Sequence, residues 1–237
     1  MVKFTTRSVE KEIMDDLEVD GPVLVQTLKE LRTINKLLGG NYVTTSALKK
    51  IIENSPDKSF TIADIGCGGG DMIRVMANWA KSINLNCHFI GIDANPNTIA
   101  AARENLADLK NVSFQVQNVF EKSFLDQKVD IISCTLFTHH FTDKELINLF
   151  STFIIKAKIA LVINDLHRHP LAFYSIKLLT ALFSHSPMVK NDGPLSVLRS
   201  FRKKEIEYLM KASGFKNFEI SWHWAFRWKI IAYTPES

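Results

Sequence analysis

The stretch TIADIGCGGGDMI, residues 61–73, decides the fold of this chain. An apolar, β-branched run reaches Asp64, a glycine-rich turn follows, and an amphipathic segment continues beyond Asp71. Glycine adopts positive φ and lets a ligand approach the backbone closely. The pattern therefore predicts a strand, a ligand-binding turn and a helix, in that order.

The glycine spacing argues against a dinucleotide site. A G-x-G-x-x-G fingerprint that starts at Gly66 would need glycine at Asp71, and one that starts at Gly68 would need it at Ile73. An acidic side chain beside a phosphate is also unfavourable because like charges repel. Asp64 and Asp71 instead favour a ligand with positive sulfonium and ammonium groups.

A further carboxylate stands at the end of the next predicted strand. Asp93 in HFIGIDANP can accept hydrogen bonds from both hydroxyls of a ribose. Asp64, the glycine turn and Asp93 together resemble the class I S-adenosylmethionine-dependent methyltransferases. The resemblance spans roughly residues 60–235, and within that class it is to bacterial enzymes for small molecules of the quinone, phenol and polyketide type.

This resemblance implies S-adenosylmethionine as the cofactor and S-adenosylhomocysteine as its product. Asn118 stands where the family often has an aspartate for the adenine amino group, and its carbonyl oxygen can still accept. Carried over residue by residue, the resemblance implies cofactor contacts for Asp64, Gly66, Cys67, Gly68, Gly70, Asp93, Ala94, Asn118, Val119, Phe120, Cys134 and Thr135.

The order of the segments predicts an α/β fold. Apolar runs at 60–65, 88–93, 112–117, 129–137 and 159–165 alternate with helix-length segments, which is typical of a parallel sheet. A helix over 201–213, with Ser200 as N-cap and Gly214 as C′ residue, precedes a predicted antiparallel hairpin. The resemblance implies a seven-stranded, mostly parallel Rossmann-like sheet with its last strand antiparallel.

Helical periodicity over 8–53, with a break at Gly39-Gly40, predicts an N-terminal helical cap. An apolar segment at about 166–200 interrupts the alternation after the fifth strand and predicts a helical lid. We expect a cap over 1–58 and a methyltransferase domain over 59–237 that form a single structural unit.

Composition indicates a folded protein. Hydrophobic residues make up 46% and charged residues 23% of the 237, which excludes a disordered or collagen-like chain. The net charge of +4 names no partner. The three cysteines form no C-x-x-C, and we find neither a secretory leader nor a membrane-spanning run, so we expect a cytoplasmic protein without a disulfide framework.

Histidines are the candidate bases. His139 and His140 follow the fourth predicted strand, at the edge of the sheet where open α/β folds bind ligands. Because histidine titrates near neutrality, either can take a proton from an acceptor, and packing or helix capping is the alternative role. Arg168 in LHRHP is a candidate for orienting the acceptor. The histidines near this edge lack further ligands at a known spacing, so we expect no metal.

The apolar lid, with Phe173 and Tyr174, predicts an apolar acceptor. We expect methyl transfer to the oxygen, or less readily the carbon, of a small aromatic, quinol or polyketide-like molecule, by a monomer or homodimer. CTLF at 134–137 replaces the Asn/Asp-Pro-Pro-Tyr loop of enzymes that methylate exocyclic amino groups. Two alternatives remain, an RNA methyltransferase that uses Lys49-Lys50 and 202–204, and a catalytically inactive cofactor-binding partner subunit.

Overall fold

Seven strands form one sheet in the order β3-β2-β1-β4-β5-β7-β6. In this computed structural model, which describes residues 3–53, 55, 59–121 and 123–235, β7 runs antiparallel to both β5 and β6. Neighbouring pairs among β1 to β5 are parallel. The strands are β1 Ser59–Ile65, β2 Asn86–Asp93, β3 Val112–Val116, β4 Val129–Thr135, β5 Ala157–Leu166, β6 Asn217–His223 and β7 Arg227–Tyr233. The predicted Rossmann-like sheet with an antiparallel last strand is confirmed.

Helices cover both faces of the sheet and one of its edges. They are α1 Gly21–Leu37, α2 Gly40–Glu53, α3 Asp71–Ser82, α4 Pro96–Asn105, α5 Asp143–Lys156, α6 Pro170–Phe183, α7 Pro187–Arg199 and α8 Lys203–Ala212. Two 3-10 turns, Ile13–Asp15 and Thr138–His140, complete the regular structure of the described residues. Buried side chains form one cluster that includes α5 and α8 and another that includes α2 and α3. No helix among the described residues is long and apolar enough to cross a bilayer.

The N-terminal segment is less helical than its periodicity predicts. Helix begins at Gly21, which has φ +67° and is followed by proline at a first-turn position, and residues 8–20 carry only a 3-10 turn. We call residues 3–20 the strap; within its 3-10 turn, the backbone N–H groups of Ile13 and Met14 donate to the Asp192 carboxylate at 2.9 and 3.0 Å. Polar atoms of α7 thus replace the intrahelical bonds of this strap.

Helix α2 packs on the sheet itself. It contacts β5 and β7, and the Asn164 side chain donates to the carbonyl of Gly40 at 2.8 Å and to Thr44 Oγ1 at 3.0 Å. The expected boundary between cap and domain, at residue 58, falls at 56–58, outside the described residues.

The lid after β5 consists of two helices, α6 and α7, packed against each other, and α7 also contacts α1. Ser200 is not the N-cap of the next helix, because its hydroxyl donates to the Val197 carbonyl at 2.7 Å at the end of α7. The N-cap of α8 is Arg202 instead, and its backbone N–H donates to the Glu205 carboxylate at 2.7 Å. Gly214, at φ +98°, follows the last turn of α8 as expected.

Candidate active site

The glycine turn lies between β1 and α3, beside the point where the strand order reverses. Gly66 has φ +68°, and a Cβ there would lie 2.1 Å from the Phe137 ring. Gly68 has φ +53° and faces the cavity, where a Cβ on it would meet Leu28 at 3.8 Å as its nearest neighbour. Gly70 does not line the cavity, because its own Cβ position is filled by Leu106 at 2.7 Å. Gly66 and Gly68 therefore form a backbone wall of the cavity, whereas Gly70 allows close packing against Leu106.

Asp64 is a buried carboxylate, and within the described part of the chain one of its oxygens lacks a hydrogen-bond donor. It is 2% exposed, and its Oδ1 has no hydrogen-bond partner among the described residues. Burial, with a smaller contribution from Asp93, raises the pKa of Asp64 to about 7. An ammonium or sulfonium group in the cavity would supply the missing charge.

Asp93 is fixed by backbone donors. Its Oδ2 accepts from the Gly68 N–H at 3.1 Å and its Oδ1 from the Asn95 N–H at 3.0 Å. Each carboxylate oxygen can accept a second hydrogen bond, so the pair of ribose hydroxyls expected from the sequence is chemically compatible. Burial raises the pKa of Asp93.

Most of the other predicted cofactor residues line the same cavity, namely Cys67, Ala94, Asn118, Val119, Phe120 and Thr135. Asn118 Oδ1 accepts from the Phe120 N–H at 3.1 Å, which fixes the amide and leaves one lone pair. Cys134 is fully buried in the core and does not line the cavity. It points away because neighbours on a strand face opposite sides of the sheet, and Thr135 takes the cavity side.

The cavity has a volume of about 850 Å³, within the usual range for ligand sites. The glycine turn and Asp93 lie on one side, and the strap, α1, α6 and α7 close the other. Apolar side chains from these four segments include Leu17, Leu24, Leu28, Leu31, Ile34, Leu38, Ile176, Leu179, Val189 and Val197. The cavity therefore combines polar groups for a nucleoside-bearing cation with an apolar roof.

His139 is held by a buried carboxylate. Its Nδ1 lies 2.6 Å from Asp165 Oδ1, and the other Asp165 oxygen accepts from Thr138 Oγ1 at 2.6 Å. Burial alone would raise the pKa of Asp165, but His139 and the Thr138 hydroxyl hold it well below its usual range. If Nδ1 carries the proton, Nε2 is left as an acceptor; it lies 3.6 Å from Glu12 Oε1.

The second histidine has its own carboxylate, supplied by the strap. His140 Nδ1 lies 2.6 Å from Asp15 Oδ1, and Arg199 binds the other oxygen of Asp15 at 2.6 Å. Burial raises the pKa of Glu12 to about 7, although His140 and Arg199 oppose the shift. Its Oε1 has no hydrogen-bond partner among the described residues.

Three residues were therefore missed by sequence reasoning: Glu12, Asp15 and Arg199. The strap residues lie more than 120 positions from the histidines, and no spacing along the chain signals that contact. Glu12, His139 and His140 also bring three possible ligand atoms within 4.8 Å of one another. Divalent cations bind to sets of histidine nitrogens and a carboxylate of this kind. The sequence shows no sign of this cluster, because Glu12 is distant in the chain from the two histidines.

The residues expected to bind the acceptor lie elsewhere. Arg168 is 1% exposed, does not line the cavity, and donates to the carbonyls of Phe4 and Ser200 and to Glu205. Phe173 packs into the small core under α6, and Tyr174 points to solvent. None of these three lines the cavity, and Ala172, Ser175, Ile176, Leu179 and Thr180 form the cavity face of α6 instead.

The fold is thus an α/β sheet with a cavity at the point where the strand order reverses, lined by carboxylates below and by apolar side chains above. A methyltransferase domain family matches residues 56–193, more than half of the chain. The chain belongs to this methyltransferase family.

Three known proteins illustrate the similarity. The ribosomal protein L11 methyltransferase of Clostridium botulinum (strain Eklund 17B / Type B) is 30% identical over 95 residues, 39% of this chain. The chain covers only 28% of the length of that relative. The carboxy-S-adenosyl-L-methionine synthase of Helicobacter pylori (strain P12) is 24% identical over 197 residues, 78% of this chain and 79% of that one. The structure of human N-acetylserotonin methyltransferase in complex with SAM superposes with a TM-score of 0.66 at 17% identity, covering 96% of this chain and 60% of that one; this likeness is one of fold.

Proposed function

We propose that the protein transfers the methyl group of S-adenosylmethionine to the oxygen, less readily to a carbon, of a small apolar aromatic, quinol or polyketide-like acceptor. One observation carries the proposal. A single cavity holds the uncompensated Asp64 carboxylate, the fixed Asp93 carboxylate and the histidine pair beneath an apolar roof.

The cofactor supplies a methyl group already activated on a sulfonium. The polypeptide therefore has to orient the acceptor, exclude water and take up the acceptor proton. Asp64 and the wall at Gly66 and Gly68 hold the methionine part, and Asp93 holds the ribose. Asn118, Val119 and Phe120 lie at the same cavity and contact the adenine.

Proton removal falls to the histidine pair. Asp165 orients His139 so that Nε2 accepts the proton of an acceptor hydroxyl, and the negative charge of Asp165 stabilises the imidazolium that forms. His140, bound to Asp15, is the second polar group in reach of the acceptor. Glu12 Oε1 faces His139 Nε2 across 3.6 Å, a gap that an acceptor hydroxyl can bridge.

An RNA acceptor is less well supported. Lys49 pairs with Glu53 at 3.6 Å, Lys50 with Glu219 at 2.5 Å and Lys203 with Glu207 at 3.9 Å, so acidic neighbours offset the basic runs. The roof of leucine and isoleucine side chains likewise suits an apolar ring system better than a polyanion.

We further propose a cytoplasmic location. Cys67, Cys87 and Cys134 are all free and buried, which fits a reducing compartment.

Calorimetric titration with S-adenosylmethionine tests the cofactor half. Asp93→Ala should weaken binding roughly tenfold to a hundredfold, because hydrogen bonds to a charged group contribute about 1.5–3 kcal/mol. Asp126→Ala, at an exposed carboxylate outside the cavity, is the matched control. No binding by the wild type, or full binding by Asp93→Ala, would contradict the proposal.

Activity on a panel of phenols, quinols and polyketide-like enols tests the acceptor half, with mass spectrometry of both products. A methylated acceptor and S-adenosylhomocysteine are expected. His139→Gln should lower kcat with little change in cofactor affinity, and the same assay with a chelator present asks whether a divalent cation takes part. Turnover of RNA alone, formation of a carboxylated cofactor, or wild-type kcat in His139→Gln would each argue against the assignment.

A further inference from the structure

The lid helix α6 is apolar on two sides. Its inner side lines the cavity with Ile176 and Leu179, as described above. Its outer side carries an apolar stripe, which we define as Leu171, Tyr174, Leu178 and Leu182. These four side chains are 57–65% exposed, and their spacing of three and four residues places them on one face of the helix.

Single exposed leucines need no explanation, but four apolar side chains in line on one helix do. The last residue of the helix, Phe183, is 71% exposed and extends the apolar surface beyond the stripe. In the described part of the chain, α6 packs on α7 through its other residues, and the Phe4 ring reaches one member of the stripe, with its centroid 6.4 Å from that of Tyr174. The three leucines are 61–65% exposed. The leucine part of the stripe is therefore an unpartnered surface.

The exposed charged side chains of the lid segment itself, residues 166–200, are basic. Residues 166–200 contain one acidic side chain, Asp192, and it is buried and occupied by backbone N–H groups of the strap. The basic side chains of Lys177 and Lys190 in this segment are exposed. Glu30 of α1 reaches the end of α6, where it accepts from the His185 and Ser186 N–H groups.

This combination of an apolar row and exposed lysines fits an anionic lipid surface. A second copy of the chain fits less well, because a two-fold interface would bring the Lys177 side chains of both copies to the same patch. Spanning is excluded by length, since α6 has 14 residues and a bilayer core needs roughly 20 in a helix. The helix can lie in the interface with its stripe among the lipid chains.

We propose that α6 docks the protein on an anionic membrane surface through Leu171, Tyr174, Leu178 and Leu182, together with the exposed Lys177 of the same helix and Lys190 of α7, which packs on it. The roof of the cavity then faces the bilayer. An apolar acceptor dissolved in the membrane would have a short path to the cavity, a consequence that rests on the proposed function. The docking itself does not depend on it.

Co-sedimentation with vesicles tests the docking without any activity measurement. The full-length wild type should bind vesicles of phosphatidylglycerol and phosphatidylcholine, and it should bind less to pure phosphatidylcholine and at high salt. The double variant Leu178→Glu/Leu182→Glu should lower the partition coefficient at least tenfold. Ile155→Glu, an equally exposed apolar position on α5, should leave binding unchanged.

Because the altered side chains point to solvent, all variants should keep the melting temperature and cofactor affinity of the wild type, which separates docking from folding. The charge-reversal variant Lys177→Glu/Lys190→Glu should bind anionic vesicles more weakly, and its binding should no longer depend on salt. Docking is overturned if the wild type stays in the supernatant with anionic vesicles, or if Leu178→Glu/Leu182→Glu binds as well as the wild type. It is also overturned if light scattering shows a wild-type dimer that the double variant dissociates without lipid. Failure of methyl transfer with intact vesicle binding would count against the proposed function alone.

Discussion

The variant Asp64→Asn tests whether the buried Asp64 carboxylate serves a cationic ligand while it lowers the free energy of unfolding of the ligand-free protein. Burial, with a smaller contribution from Asp93, raises the pKa of Asp64 from 3.8 to about 7. At about 1.36 kcal/mol per pKa unit, ionising the carboxyl lowers the free energy of unfolding by up to roughly 4 kcal/mol. Water that enters the cavity reduces this value, so it is an upper bound.

Proton binding to Asp64 determines how the free energy of unfolding changes with pH. Because the pKa of Asp64 is higher in the folded chain, the folded protein holds this proton after the unfolded chain has released it. The stability contributed by the protonated form is therefore lost as pH rises from about 4 through about 7. Between about pH 5 and about pH 8 this group alone lowers the free energy of unfolding by roughly 2.5 kcal/mol. The asparagine variant does not titrate and escapes that loss.

Urea unfolding without ligand, at both pH values, measures the difference. Asp64→Asn should gain on the wild type by roughly 2 kcal/mol between the lower and the higher pH, whereas Asp126→Asn, at an exposed carboxylate, should not. Saturating S-adenosylmethionine should stabilise the wild type and leave the variant almost unchanged. The reasoning is refuted if the stability difference between wild type and Asp64→Asn is the same at both pH values.

Three further substitutions separate binding, catalysis and packing. Gly66→Ala should destabilise the fold by about 1–3 kcal/mol, because its Cβ would lie 2.1 Å from the Phe137 ring. The control Gly193→Ala, whose Cβ would lie 3.4 Å from its nearest neighbours, should lower the stability much less. Thermal unfolding of both variants measures the difference. Asp165→Asn should lower kcat roughly 10²–10⁴-fold with cofactor affinity unchanged in calorimetry, and normal turnover would remove Asp165 from the proton step. Arg168→Leu should destabilise the fold in urea unfolding by about 1–3 kcal/mol for each carbonyl that loses its donor, those of Phe4 and Ser200. Unchanged stability with a raised acceptor KM would instead support the acceptor role expected from the sequence.

The cofactor half of the site could be predicted because it is local in sequence. The turn at 66–70 follows β1 directly, and Asp93 ends β2, so the parallel register of β1 and β2 is enough to bring them together. Alternation of strands and helices also predicted the sheet, since each apolar run has the length and residue types of a buried strand. Gly70 and Cys134 lie in the same motifs but do not line the cavity, because a motif does not say which side of the backbone faces the ligand.

The acceptor half could not be predicted in the same way. Arg168 looked like a loop arginine, yet carbonyl groups of Phe4 and Ser200 and the Glu205 carboxylate surround it, and those partners come from three separate segments. The strap was assigned to helix because its apolar residues have helical spacing. Its backbone instead bonds to Asp192 in α7, a tertiary contact that overrides local preference.

The histidine pair depends on the same distant segments for its position. The turn that carries it leaves backbone carbonyls pointing outward, and Arg7 donates to that of His139 at 3.1 Å while Arg199 donates to that of His140. Arg7 also binds the carbonyl of Arg199 at 2.7 Å, so strap, turn and α7 share one network of charge-assisted bonds. Because buried carbonyls are costly to leave unpaired, the turn can hold this conformation only when the strap and the lid are in place. The residues proposed to bind the cofactor need neither segment for their backbone hydrogen bonds. The two halves of the cavity thus differ in what holds them: the cofactor half is fixed by the sheet, and the acceptor half by the docking of the N-terminal strap on the lid.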